Sequence, residues 1–182
     1  MIITSGYAKG HFLHEPKIKE LNPAHEAVRK KLFDSLQDKL IGKKVLDLYA
    51  GTGSFGLESL SRGAATADFV DNSVVGIRSL RKNMLHTRFL GRVRVYCQSV
   101  VSFLASCTEK YDIIFVDPPN SSANLFELFE QLRRIAAGDN MVIIRGHCLS
   151  IFHPKVTTIS EIKYAHEKIV VVSLDTKKPS FA

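Results

Sequence analysis

The sequence predicts an α/β protein: a mostly parallel seven-stranded sheet, helices on both faces, and an antiparallel hairpin at the C-terminal end. Three observations predict it. Short apolar runs alternate with helix-period segments, a glycine-rich turn joins the first run to the first of those segments, and the last two runs have no helix between them. Strands are expected at 44–49, 66–71, 92–96, 112–116 and 140–145, and helices at 54–62, 73–89, 99–107 and 123–135. In the helix after the second strand, Val74, Ile77, Leu80 and Met84 fall on one apolar stripe. Four strand–helix units in a row return the chain right-handed to one sheet, so these strands run parallel and are covered on both faces. Runs at 156–162 and 167–174, separated only by a turn at 164–166, form the hairpin. Upstream lies a β-like arm, 2–4 and 11–13, bent at Gly6 and Gly10. A long helix follows it, capped by Asn22, opened by Pro23, carrying Val28, Leu32, Leu36 and Leu40 on one face, and stopped by Gly42. The chain is therefore expected to divide into an arm and helix over 1–42 and one α/β domain over 43–182.

Composition narrows the function classes. With 182 residues, 45% hydrophobic and 24% charged, the chain is neither disordered nor collagen-like. No stretch reaches the roughly 18 apolar residues of a membrane span, and the first residues lack a secretory pattern, so a cytoplasmic protein without a membrane partner is expected. Lys plus Arg number 25 against 18 Asp plus Glu, a net charge of +7 that draws polyanions. Three widely spaced cysteines do not make a disulfide framework. No metal site is expected: His147 and Cys148 come nearest to a ligand pair, and neighbouring side chains of a strand point to opposite faces.

The stretch from Val45 to Gly56 fits G-x-G-x-x-G through Gly51, Gly53 and Gly56, leaves a strand, opens a helix, and has Asp71 20 residues beyond Gly51. By itself that is a dinucleotide fingerprint and points to NAD. Two details favour S-adenosylmethionine instead. Asp47, four residues before Gly51, would repel a pyrophosphate but suits a ligand carrying an amine and a sulfonium; the second detail is the Asp117-Pro118-Pro119 turn considered next. NAD and a ligand-free turn remain the alternatives. The candidate cofactor-binding residues are Asp47, Tyr49, Ala50, Gly51, Gly53, Gly56, Asp71, Asn72, Ser99 and Val100. Gly51 and Gly53 would let the backbone approach the ligand, Asp71 would accept both ribose hydroxyls, and Ser99 and Val100 would flank the adenine. Either acid alone is explained as simply by capping the helix that follows it.

The run 112–116 ends in Asp117-Pro118-Pro119-Asn120, the candidate catalytic residues. Two prolines stop the strand and stiffen it, holding the Asp117 carboxylate and the Pro118 carbonyl as paired acceptors for an exocyclic NH2 group. Such an amine is a poor nucleophile until its lone pair is aimed. Orientation and electrostatics would then drive an in-line displacement at a sulfonium methyl.

With these motifs in hand, the chain resembles the bacterial small-subunit rRNA guanine-N2 methyltransferases, the RsmD-type family of class I S-adenosylmethionine enzymes. The resemblance runs through Ile2-Ile-Thr-Ser-Gly6, Leu21-Asn-Pro23, Leu46 to Gly53, Gly56 to Gly63, Lys82-Asn83, Ser102-Phe-Leu104 and Tyr111 to Pro119. It implies a Rossmann-like class I methyltransferase fold and transfer of one methyl to a guanine N2 of 16S rRNA in an assembling small subunit; a monomer is expected. It also implies that the arm and first helix contact RNA, through Lys9, His11, Arg29 and Lys30. Departures are Asn120, where the family carries an aromatic that stacks on the flipped base, Asn22 for an arginine, Lys30 for a glutamate, and Ser99 for an acidic or amide residue. Phe126 or Tyr7 is a candidate to replace the missing ring. A second basic region, Arg78, Arg81, Lys82, Arg88, Arg92 and Arg94, contains no acid and reads either as a phosphate track or as a solvated helix face. The same acceptor geometry serves a protein glutamine-N5 methyltransferase, and Asn120 is also compatible with a catalytically weakened relative that binds S-adenosylmethionine and rRNA.

Overall fold

The computed structural model describes residues 1–16, 26–119, 125–146, 156–164 and 167–174. The expectations placed on Asn22, Pro23, Asn120, His147, Cys148 and the tip of the last turn lie outside these residues. Seven strands, β1 (Lys44–Leu48), β2 (Thr66–Asp71), β3 (Val93–Cys97), β4 (Tyr111–Val116), β5 (Ala136–Gly146), β6 (Thr157–Tyr164) and β7 (Glu167–Ser173), form one sheet in the order β3-β2-β1-β4-β5-β7-β6. The strands β1 to β5 pair in parallel, while β7 runs antiparallel to both β5 and β6. The helices are α1 (Glu26–Leu36), α2 (Ser54–Ser61), α3 (Val74–His86), α4 (Val100–Ser106) and α5 (Leu125–Ile135). This is the expected architecture. Its strand order reverses between β1 and β4, where open α/β sheets place their ligands beyond the carboxyl ends of the strands.

The two-residue period of the strands sorts their side chains into two cores. Val45, Phe69, Ile113, Phe115 and Ile143 pack with Leu32, Phe33, Leu57 and Leu80 from α1, α2 and α3. Leu46, Val70, Ile114, Val142 and Ile144 pack on the other face with Phe103, Leu104, Phe129 and Leu132 from α4 and α5. Each such side chain withdrawn from water stabilises the fold by about 1.5–3 kcal/mol.

The arm makes a single antiparallel bridge, Ile2 to Phe12, rather than two strands. It is nonetheless docked. Ile3, Ala8 and Leu13 enter the first core, and Gly6 lies so close to the end of α2 that a Cβ there would fall 1.8 Å from the Ser61 carbonyl oxygen. Two local expectations differ. The first helix ends at Leu36, because Gln37 takes a left-handed φ of 39°, and a 3-10 turn carries Leu40 into the core. Val74 is exposed at the opening of α3, behind the Ser73 cap, so the buried stripe is Ile77, Leu80 and Met84.

Candidate active site

Parallel pairing places Asp47 opposite Phe115, and Val116 opposite both Leu48 and Ile144. Asp117 and Arg145, one residue further along β4 and β5, therefore lie side by side, and by strand alternation they share the face of Asp47. Asp71 ends the neighbouring strand β2.

The turn after β1 is held by its own backbone and by these acids. Gly56 donates to Asp47 Oδ2 (2.9 Å), Gly51 to Asp71 Oδ2 (2.7 Å), Ser73 to Asp71 Oδ1 (2.7 Å), and Ala50 to the Val70 carbonyl (3.1 Å). The Asp47 carboxylate thus caps the amino end of α2, whose N-cap is Gly53. Its other oxygen, Oδ1, is buried without a hydrogen-bond partner among the described residues. Burial holds the Asp47 carboxyl well above the usual carboxylate range, against the pull of the Gly56 N–H, and the charges of Asp117 and Asp71 raise it further. Tyr49, half-buried, sits at φ 60°, an uncommon conformation for a residue with a Cβ, at the point where strand becomes loop. Burial also raises its hydroxyl.

Gly53 and Gly56 are also required by packing. A Cβ on Gly53 would come 2.3 Å from Leu80 Cδ1, and one on Gly56 the same distance from Phe69. Gly51, with Ala50 beside it, abuts the start of α3 through Gly76. Asn72 is exposed at the rim, Val100 is buried, and the Ser99 hydroxyl caps α4 by accepting from Ser102 N–H (3.1 Å).

Asp117 is 16% exposed, and its Oδ1 accepts from Arg145 Nε at 2.7 Å. Arg145, 8% exposed, was not anticipated, although a lone cation closing the apolar run Met141–Ile144 was a signal that could have revealed it. The pair borders a recess lined by Phe55, Phe115, Ile143 and Ile169. Pro118 and Pro119 follow at the surface. Three carboxylates and one arginine leave the site with an excess of negative charge, and one carboxylate oxygen lacks a donor. A cationic ligand fits that donor set, with Asp47, Asp71 and the 49–56 turn able to hold it.

The expected RNA contacts separate into two groups. Lys9 is exposed, and His11 lies edge-on to His86 at 5.1 Å, with Nδ1 against the Ala8 carbonyl. Lys30 is exposed and paired with Asp34. Arg29 is the correction. It is wholly buried, bonded to the Ile2 carbonyl and 3.7 Å from Glu58, so it has no surface for a phosphate and holds the arm down instead. Of the second basic region, Arg92 donates to the Leu60 and Ala64 carbonyls and Arg94 forks onto the buried Asp68, while Arg78, Arg81, Lys82 and Arg88 are exposed.

A model of the family described as "Conserved hypothetical protein 95" matches residues 1–170. The chain belongs to that family, the RsmD-type family that its motifs resemble. It is 38% identical over 117 residues to the ribosomal RNA small subunit methyltransferase D of Escherichia coli, a match covering 64% of this chain and 59% of that protein. The same-named protein of Buchnera aphidicola subsp. Acyrthosiphon pisum is 28% identical over 169 residues, covering 91% of this chain and 88% of the relative. Among solved structures, Escherichia coli yhhF superposes with a TM-score of 0.85 at 26% identity, covering 97% of this chain and 99% of that one.

Proposed function

We propose that this protein transfers a methyl group from S-adenosylmethionine to the exocyclic N2 amine of a guanine in small-subunit rRNA. The observation that carries the reading is the gathering of Asp47, Asp71 and Asp117 at the carboxyl ends of β1, β2 and β4, with a buried Asp47 oxygen left without a donor. Kinship with the small-subunit rRNA methyltransferases supports it. Bound S-adenosylmethionine supplies an electrophilic methyl and takes the electron pair of the breaking carbon–sulfur bond. Asp47 Oδ1 meets the positive end of that ligand, and Asp71 keeps acceptor lone pairs for the ribose. Asp117 and the Pro118 carbonyl accept the two hydrogens of the amine and turn its lone pair toward the methyl carbon. As the carbon–nitrogen bond forms, the nitrogen becomes cationic, and Asp117 stabilises it and takes its surplus proton. Residues 1–42 act as the RNA-contacting layer over the domain at 43–182.

The test is nucleoside mass spectrometry of 16S rRNA from cells with and without the protein, together with methyl transfer from labelled S-adenosylmethionine to small-subunit rRNA and, separately, to a glutamine-bearing protein substrate. The expected result is N2-methylguanosine that depends on this protein, and an Asp117→Asn variant that still binds S-adenosylmethionine but loses transfer by more than a hundredfold. Full activity in that variant, no affinity for the cofactor, or label in the protein substrate instead of the RNA overturns the reading.

A further inference from the structure

The Asp117–Arg145 pair has a role that the transfer step alone does not require. A buried ion pair is often no more stabilising than well-packed apolar residues of the same volume, and this one stands beside Phe55, Phe115, Ile143 and Ile169. In-register strands set its two members next to each other at the mouth of the site, and the contact runs through Nε to Oδ1 of the carboxylate that the proposed reaction uses. A carboxylate oxygen accepts more than one hydrogen bond, and a guanidinium presents five donors in a planar fork. An acceptor, a second acceptor and then a cationic donor thus follow in sequence along the pair. Guanine's Watson–Crick edge presents the complement in the same sequence: the N2 donor, the N1 donor and the O6 acceptor. Adenine and cytosine do not.

Resting on the reading above, we infer that Arg145 is a specificity-determining residue. With Asp117 Oδ2 on the N2 amine and Oδ1 on N1–H, the Arg145 guanidinium donates to O6. The ion pair selects guanine over other 2-amino purines and holds the flipped base in plane.

The experiment uses the full-length protein and a small-subunit rRNA fragment bearing either guanine or 2-aminopurine at the position mapped by mass spectrometry. 2-Aminopurine keeps the N2 amine but lacks N1–H and O6. The wild-type protein is expected to prefer guanine by at least a hundredfold in kcat/KM. Arg145→Met is expected to lower kcat/KM on guanine about ten- to a hundredfold more than on 2-aminopurine, the worth of a charge-assisted hydrogen bond. Arg145→Gln, which retains an N–H donor, should recover part of the guanine rate. An equal fall on both bases would mean that Arg145 only positions Asp117, and would overturn the inference while the methyltransferase reading stands. A wild-type preference below threefold overturns it as well, even if the variants fail to fold. No transfer to either RNA by the wild-type protein removes the reading and the inference together.

Discussion

The carboxylate of Asp47 serves two opposed demands, and its chemistry follows from their conflict. One oxygen anchors the start of α2 through Gly56, while the other is buried without a donor. A carboxyl whose native pKa is raised contributes stability that is complete below the unfolded value, about 3.9, and lost as pH rises through the native value. At neutral pH the raised Asp47 carboxyl therefore leaves the ligand-free protein less stable than it is in acid. Asp47→Asn is expected to melt at a higher temperature than the parent, with the gap closing as pH falls. A cationic ligand reverses the balance, because it favours the charged carboxylate. Calorimetry should find that S-adenosylmethionine binds the parent more tightly as pH rises through the raised value, and that Asp47→Asn loses this pH dependence and about ten- to a hundredfold in affinity. Equal affinity and an unchanged profile would show that Asp47 does not face the ligand's charge. Asp47 and Asp71 were legible in the sequence because their meaning comes from short spacings to Gly51. Arg145 and Arg29 were not. Their partners, Asp117 and Glu58, stand far along the chain, and a lone arginine in a helix or at a strand end reads as surface until the fold supplies its carboxylate.

Among the elements, the arm is the one whose position depends most on a single group. Glu58, in the interior of α2, accepts from Thr4 N–H (2.8 Å), Thr4 Oγ1 (2.6 Å) and Arg62 Nε (2.8 Å), and faces the buried Arg29. Burial lowers the Arg29 pKa, while Glu58 works to raise it. Glu58→Gln removes the only anion of this buried cluster among the described residues and strands a guanidinium in the core. Breaking a buried pair by removing one partner costs about 3–5 kcal/mol. The expected result is a clearly lowered melting temperature in differential scanning calorimetry and earlier proteolytic cleavage within residues 1–16, with the sheet's circular dichroism retained. An unchanged melting temperature would show that the arm is held by its apolar contacts alone. Elements built from periodic segments matched their expected bounds closely, as at α2 and β4, because the apolar period carries the information. The arm did not, because Gly6, Thr4 and Glu58 act across more than 50 residues of chain, and no Gly or Pro marks the break at Gln37.

At the scale of the whole molecule, the fold merges the two basic regions that the sequence kept apart. Asn83 of α3 accepts from His14 N–H (2.6 Å) and donates to the carbonyls of His14 (3.2 Å) and Thr52 (3.0 Å), so the arm, α3 and the glycine turn meet at one side chain. His11 against His86, and Tyr7 against Phe89 at 6.2 Å, extend that seam. Arg78, Arg81, Lys82 and Arg88 on α3 and the following turn are exposed, as are Lys9, Tyr7 and Phe12 on the docked arm, the last two each 75% exposed. Cations and solvent-facing rings interleaved in this way suit single-stranded RNA, with phosphates on the cations and bases on the rings. The two kinds of contact respond differently to salt. Neutralising one phosphate-bound cation reduces the slope of log affinity against log salt by about one, whereas loss of a stacking ring weakens binding by about 1–3 kcal/mol at every salt concentration. Filter binding of small-subunit rRNA over a salt series should therefore find a shallower slope for Arg81→Ala and Lys82→Ala, and a parallel downward offset for Tyr7→Ala and Phe12→Ala. Arg94→Ala should change neither binding parameter, because that guanidinium is already committed to Asp68; its cost should appear in the melting temperature. A salt slope that none of the α3 substitutions alters would place the RNA on another face of the sheet.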